Sequence, residues 1–547
     1  MKKIPSRTQT FKELIEKGYI YVDKTDLLPP LIERKAVFLS RPRRFGKSLL
    51  LSTFKSLLEG EVELFKGLKI MDQGFEFKKY PVIRLDMSMT SRTPDITTKS
   101  LLQKLANVAE SFGLKLIQAE PGETFVKLVI DINRQCGQKV VVLVDEYDYP
   151  VNHNIDDSSL MMANSKILSD FYVSFKSIDS LLEFVFVTGV TRYAMMGLSA
   201  GLNNLYDISL NSQYAAICGF TLEELDINFR EHYKSLLEKQ DAQDFPPLID
   251  DAIDLLKDTI LSWYDGYSWD GITNVLNPFS IINLFDNGEF KPYWELSSPS
   301  VNFITNLVKD KPWDFTKDKM SGYEESQFTN SLPGVPVNPV LFMFQTGYLT
   351  IDKITTAKIK TVFNGKKINT NKKLYSFKTP NTELETTFVV SLNEVLFNNL
   401  VKNKNEESIK FKAAISSKNP HELTNIIGSI FSAVPSDLHT EKESFYHSLL
   451  ATYLLGLGLD AKSEDSGSGG YLDILVRIKP DVRVVIELKY SHDPARKAET
   501  RLKWLAKEAL KTIKEKEYDK QYRQTDKKVV NIGVGVYMKG LVKAIFE

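Results

Sequence analysis

The sequence predicts an α/β protein with a parallel sheet near its N-terminus, a mainly helical middle region and a small α/β unit at its C-terminus. Three observations carry this expectation. Short apolar runs alternate with helix-length segments over residues 35–215, the pattern of strands buried on both faces by crossover helices. Residues 216–435 mix amphipathic stretches with turn-rich segments. From about 436 a helix, a Gly/Ser loop, two strand-like runs, a charged helix and a final strand follow in order. The expected divisions are therefore 1–215, 216–435 and 436–547.

At 547 residues the chain is too long for a single core. Its 43% hydrophobic and 26% charged content are ordinary for a globular protein. The 70 basic and 70 acidic residues cancel, so any nucleic-acid surface must be local. Two cysteines exclude a disulfide framework, and six dispersed histidines give no zinc-site spacing. The basic start, Met1 to Arg7, leads into polar residues and is not expected to be a signal peptide. No apolar run is long enough to span a membrane, and a cytoplasmic location is expected.

In the first region, apolar runs fall at Ala36–Ser40, 82–88, Val140–Asp145 and 184–189. The first ends in Arg41-Pro42-Arg43-Arg44-Phe45-Gly46-Lys47-Ser48, a tight loop opening a helix. Phosphate oxygens need convergent backbone N–H donors and the positive end of a helix dipole. Gly46 allows close approach, Lys47 supplies a cation and the Ser48 hydroxyl can ligate Mg2+. Arg43, Arg44 and Phe45 complete the loop, the two arginines as phosphate ligands or as supports of its shape. Arg41 stands where the first glycine of the usual P-loop motif falls. The strand Val140–Asp145 ends in adjacent acids. Asp145 is expected to hold Mg2+ through water and Glu146 to polarise the attacking water. The next run ends at Thr188, placed to sense a γ-phosphate. Asp148 is either a further acid of the metal shell or a solvated loop residue. Arg192 either contacts the γ-phosphate or sits on a surface turn.

This region resembles the AAA-ATPase-like proteins of bacteria and archaea, a P-loop NTPase family. The likeness rests on 18–25 (GYIYVDKT), 39–48 (LSRPRRFGKS), 144–148 (VDEYD), 188–190 (TGV) and 201–205 (GLNNL), and it spans roughly residues 5–215. Relatives lack the same first glycine, so the resemblance makes Arg41 an expected residue. It also implies that Asp23 and Lys24 belong to the surroundings of the nucleotide, ATP, and that a homo-oligomer is possible, with Arg192 the candidate for an arginine offered to a neighbour.

The middle region contains helical stretches at 248–263 and 383–400. Aromatic-glycine segments at 263–267 and 345–348 and a turn at 332–334 complete its features. The C-terminal region carries Asp473 in one strand-like run and Glu487-Leu488-Lys489 in the next, joined by Pro480-Asp481. Alternation puts Glu487 and Lys489 on one face. A loop centred on Asp481 would set Asp473 opposite Lys489 on that face, whereas an even-length loop without a bulge would put it on the wrong side. Two carboxylates and a lysine suit metal-assisted phosphodiester hydrolysis: Asp473 and Glu487 as ligands of Mg2+ or Mn2+, Lys489 orienting water or stabilising charge. Glu443, at the start of the preceding helix, could reach that shell, and His447 shares its face. Between Lys489 and Lys528 there are 13 Lys and Arg against 7 Asp and Glu, with Trp504 among them, a local patch suited to a phosphate backbone.

Residues 436–547 resemble the PD-(D/E)XK nuclease superfamily, in the branch that follows AAA-ATPase-like domains. The matching positions are Glu443, Phe445 to His447, Asp473, Glu487 to Lys489, and Ala509 through Tyr518. Relatives often have a glutamine where Thr512 stands here. The resemblance implies a restriction-endonuclease-like fold and an ATP-regulated nuclease acting on nucleic acid, DNA favoured over RNA, with no membrane partner. The alternative is a signalling or scaffold NTPase whose nuclease-like domain only binds nucleic acid or protein.

Overall fold

The computed structural model describes residues 2–547 except 6–7, 9, 89–92, 118, 155–156, 193–194, 203, 240–248, 295–319, 329–337, 364–365, 386, 388–403, 435–438, 440–442, 468–469, 480–481, 494–496, 524–527 and 539. Four sequence features therefore lie outside the described residues: the 332–334 turn, most of 383–400, the Pro480-Asp481 turn and Arg496. The chain forms two compact units, residues 1–298 with 316–384, and 299–315 with 385–547. The middle region is thus shared between the two.

The first unit is built on a five-stranded sheet of order β2-β3-β4-β1-β5. Its strands are β1 (Ala36–Ser40), β2 (Val82–Asp86), β3 (Val140–Asp145), β4 (Leu182–Gly189) and β5 (Tyr206–Asp207), all paired in parallel. Every residue of β1 and β3 is buried, so neither strand shows polar alternation. The helices α1 (Lys47–Leu58), α2 (Pro94–Ser111), α3 (Pro121–Cys136) and α4 (Ser158–Val173) supply the crossovers. Of these, α3 opens on Pro121 and stops at Gly137, whose φ of 66° no β-carbon opposes. Phe125, Leu128, Val129 and Ile132 give it a fully buried stripe against the sheet core.

In residues 216–384 the helices α5 (Leu222–Leu237), α6 (Ile249–Tyr264) and α7 (Pro278–Asn287) pack around their own core of Leu225, Phe229, Leu256, Ile260 and Leu284. Thr221 and Glu224 form a reciprocal capping box on α5, and Asn277 caps α7. Among the described residues helices outnumber strands here, but a three-stranded antiparallel sheet accompanies them. It comprises β6 (Tyr323–Glu324), β7 (Thr350–Phe363) and β8 (Lys366–Lys378) in the order β6-β8-β7, with α8 (Pro339–Thr346) preceding β7.

Near the end of this unit Glu383 is fully buried, accepting hydrogen bonds from the Ser280 hydroxyl of α7 (2.8 Å) and the Trp294 N–H (2.9 Å). Burial pushes its carboxyl up to about 8. In the unfolded chain that carboxyl titrates near its ordinary value, so between the two the folded state binds the extra proton. Stability from this group is full at low pH and is lost as pH rises through about 8. Glu383→Gln should remove a slope of roughly 1 kcal/mol per pH unit. Thermal melts of both proteins at pH 6 and pH 8.5 check this; parallel shifts in the two would contradict it.

The second unit holds helices α9 (Lys404–Ser416), α10 (Pro420–Ala433) and α11 (Glu443–Gly456) and a mixed sheet of order β13-β12-β11-β10-β9. Its strands are β9 (Asp460–Gly467), β10 (Gly470–Lys479), β11 (Val482–Ser491), β12 (Lys528–Tyr537) and β13 (Leu541–Phe546), and α12 (Ala498–Glu515) joins β11 to β12. Two expectations are corrected. Most of the Gly/Ser segment 463–470 is the edge strand β9 rather than a loop, because its backbone pairs along β10. The single final strand is instead the antiparallel pair β12–β13. The helix α12 lies close on β12 at Gly533 and Gly535, where an added β-carbon would meet the Ala506 carbonyl at 2.2 Å and the Leu502 carbonyl at 2.4 Å.

Candidate functional site

The loop between β1 and α1 turns on two left-handed residues, Arg44 (φ 67°) and Gly46 (φ 91°). Arg41 has no positive φ, so the position does not need glycine's backbone freedom. Its side chain does other work. At 1% exposure its guanidinium donates to the carbonyls of Ser40 (2.9 Å), Ser209 (2.7 Å) and Tyr214 (3.2 Å) and lies 4.0 Å from the Trp269 ring. Burial pushes its pKa down to about 10, which leaves it cationic at neutral pH. Restoring the usual glycine, Arg41→Gly, should therefore destabilise the unit by about 3 kcal/mol, since it deletes charged hydrogen bonds and a cation–π contact. Chemical denaturation checks this; a neutral or stabilising effect would show the anchor to be idle.

Further braces on the loop come from residues 220 to 300 positions later. Phe45 packs its ring against Tyr267 (4.8 Å) and Trp269 (5.3 Å), and Arg44 sits 4.8 Å from the Phe279 ring. Gly347, at φ 97°, lets the backbone pass Pro42, whose Cβ a side chain there would meet at 2.7 Å. The aromatic-glycine segments of the middle region thus serve as the outer wall of the loop.

Arg43, Arg44, Phe45, Gly46, Lys47, Ser48 and Glu146 line one cavity of about 570 Å³. Lys47 is buried and donates to the carbonyls of Arg41 (2.9 Å) and Pro42 (2.8 Å). Burial lowers its pKa, while Asp145 and Glu146 act in the opposite sense. Asp145, 3% exposed at the end of β3, accepts the Glu146 N–H at 3.1 Å. Glu146 adopts φ 50°, and burial raises its carboxyl, with Lys47 and Arg43 opposing. Ile20, Val22, Leu28, Ile217 and Phe220 give the same cavity an apolar part of its lining. A cation-rich loop and apolar side chains lining one cavity suit a phosphate chain carrying a flat ring. Lys24 lines this cavity and is held by Glu224 at 2.6 and 2.8 Å, whereas Asp23 accepts the N–H groups of Thr25 and Lys69 and so fixes a turn.

Three expectations around this site are corrected. Thr188 is fully buried, its hydroxyl donates to the Leu39 carbonyl (2.9 Å) inside the sheet, and it is not among the residues that line the cavity. Asp148 is neither solvated nor placed as a metal acid. It is 1% exposed and accepts the N–H groups of Val190 and Thr191 and the Thr191 hydroxyl, pinning the turn after β4. Arg192 is not on a surface turn. It is 8% exposed and bonds to Asp207.

In the second unit, β10 pairs with β11 so that Ile474 faces Ile486 and Val476 faces Val484. Continued by one residue, this register sets Asp473 opposite Glu487, two positions from the expected partner Lys489. A bulge between Arg477 and Lys479 absorbs the odd residue, and Asp473 stays on the face of Glu487 and Lys489. The Asp473 carboxylate accepts the Leu488 N–H (2.7 Å), and the Asp473 N–H points toward Glu487 Oε2 (3.5 Å). Lys489 Nζ donates to Glu487 Oε1 and Glu443 Oε1, both at 3.0 Å, and Glu443 Oε2 accepts the Tyr490 N–H at 2.9 Å. Glu443 is thus consumed in aiming Lys489. On the other face Tyr446 of α11 stacks on Tyr490, with ring centroids 5.2 Å apart.

Burial pushes the Glu487 carboxyl up to about 7, and the charge of Asp473 adds to this; burial raises Asp473 as well, with His447 and Lys489 opposing. Two desolvated, mutually repelling carboxylates form a place where a divalent cation relieves the repulsion. Among the described residues no three His, Cys, Asp or Glu side chains form a ready-made cage. Two carboxylates fit an ion that keeps most of its water, as Mg2+ does.

Arg501 of α12 donates to Ser491 Oγ at 2.9 Å and lies 4.6 Å from the half-exposed Trp504 ring. The basic patch is partly neutralised, since Lys503 pairs with Glu499 and Lys514 with Glu547. Among the described residues no helix is long and apolar enough to cross a membrane.

Residues 5–199 match a family model described as a predicted AAA-ATPase, and residues 441–544 match one for the PD-(D/E)XK nuclease superfamily. An "Uncharacterized protein in vnfD 5'region" of Azotobacter chroococcum mcd 1 is 29% identical over 551 residues, covering 97% of this chain and 96% of that protein. Among solved structures, Cdc6p from Pyrobaculum aerophilum aligns over 72% of this chain and 96% of its own at 10% identity, with a TM-score of 0.22, too low to carry a fold assignment. The chain thus carries an N-terminal region similar to predicted AAA-ATPases, followed by a C-terminal region similar to the PD-(D/E)XK nuclease superfamily.

Proposed function

We propose that the first unit binds and hydrolyses ATP with Mg2+ and that its nucleotide state regulates metal-dependent cleavage of nucleic acid, DNA in preference to RNA, by the second. The observation that carries this reading is the convergence of Asp473, Glu487 and Lys489 at one end of β11, with Glu443 holding the lysine in place. Asp473 and Glu487 would hold Mg2+ or Mn2+. A bound divalent ion supplies an activated water and screens the scissile phosphate. The Lys489 ammonium then orients that water and offsets charge developing on the phosphate oxygens. At the other site, Lys47 and the loop N–H groups bind the phosphates, Ser48 and Asp145 hold the ion, and Glu146 accepts the proton of the attacking water.

Cleavage of a labelled duplex tests this reading. The full chain should cut with Mg2+, not with EDTA, and at different rates with ADP and with a non-hydrolysable ATP analogue. Equal background cleavage by wild type and Asp473→Asn would favour a scaffold that binds without cutting. Equal rates in every nucleotide state would remove the regulatory half of the proposal.

A further inference from the structure

The chain as a whole carries no net charge, yet residues 350–378 hold eight lysines against one acid, Asp352. These residues are the β7–β8 hairpin, paired continuously from Thr350 with Lys378 to Phe363 with Lys366 apart from one shift near its base. At roughly 3.4 Å per residue the ribbon extends about 45 Å. The third strand, β6, covers only its base, pairing at Tyr375 and Leu374.

The register sorts the charges by face. Ile354, Thr356, Lys358, Lys360 and Val362 pair with Tyr375, Lys373, Asn371, Asn369 and Lys367, so these ten positions share one face. That face carries four lysines, a threonine and two asparagines and no acid. The opposite face carries Lys353, Lys366 and Lys372 among Ile359, Phe363 and Ile368. There Lys372 is paired with Glu324 at 2.8 Å, and at the base of the hairpin Lys378 is paired with Asp352 at 3.3 Å.

We propose that the Lys358/Lys360/Lys367/Lys373 face of this hairpin is a docking surface for the phosphate backbone of a nucleic-acid duplex. A two-stranded ribbon is narrow enough to enter a major groove. Residues two apart on a strand are about 6.8 Å apart, twice the ~3.4 Å spacing of charge along each strand of a duplex. Asn and Thr between the lysines donate to phosphate oxygens as well. The arm belongs to the unit that holds the nucleotide site, so it gives that unit its own grip on the polymer, separate from the basic helix of the nuclease unit. The inference rests on the reading that the chain acts on nucleic acid.

The test uses the full chain carrying Asp473→Asn, so that substrate is not cut, and a fluorescent duplex of about 30 base pairs titrated at several salt concentrations. Combining Lys358→Gln, Lys360→Gln, Lys367→Gln and Lys373→Gln should weaken binding at least tenfold and flatten the slope of log K against log salt by about 3.6, at ~0.9 per lost phosphate contact. The opposite-face set, Lys353→Gln, Lys366→Gln and Lys372→Gln, should change affinity less than threefold. Circular dichroism confirms that both sets fold. Unchanged binding in the first set, or equal losses in the two, overturns the docking face while leaving the nucleic-acid reading intact. No duplex binding by the parent protein overturns both, including the case where it binds anionic vesicles instead.

Discussion

Lys489→Met should lower the nuclease rate about 10³-fold, close to 4 kcal/mol of transition-state stabilisation. The lysine is the only cation bonded to both Glu443 and Glu487 among the described residues. Its loss removes the charge that faces the phosphate and leaves two carboxylates without their shared partner. Lys489→Arg should recover little, because a planar guanidinium cannot reproduce a point donor between two carboxylates. Initial rates on a duplex at saturating Mg2+ check both variants. A loss below tenfold for Lys489→Met would show that the lysine has a structural role alone.

The second large effect belongs to Lys47. Lys47→Ala should weaken ATP binding ~100-fold, about 2.7 kcal/mol, by removing the cation and its charge-assisted bonds to phosphate. Calorimetric titration with ATP measures this, and unchanged affinity would detach the loop from nucleotide altogether. Nuclease assays of the same variant report on coupling. If cleavage no longer distinguishes ADP from an ATP analogue, the loop is where the signal enters.

What the sequence made legible was local. The loop, the acids ending β3 and the E-x-K run are contiguous residues whose chemistry follows from their spacing, and the structure places each at a strand end. What remained hidden depends on partners far away in sequence. Thr188 looks free at the end of a strand until the Leu39 carbonyl of the neighbouring strand takes its hydroxyl. Asp148 looks like a loop acid until the turn after β4 wraps around it. The register of Asp473 turned on a one-residue bulge, which hydrophobic patterning does not encode. The β7–β8 hairpin is a different case. Its lysine and asparagine content disguises it, but β-branched residues alternating around Asn364-Gly365 are the strongest short-range hairpin signal a sequence offers.

The bracing of the phosphate loop sets an order of events during synthesis. Residues 41–48 leave the ribosome early, but the groups that fix them, Trp269, Phe279 and Gly347, follow as much as about 300 residues later. At ~5–20 residues per second, that delay is roughly 15–60 s. For that interval the nascent chain carries the loop residues without the wall that braces them in the folded protein.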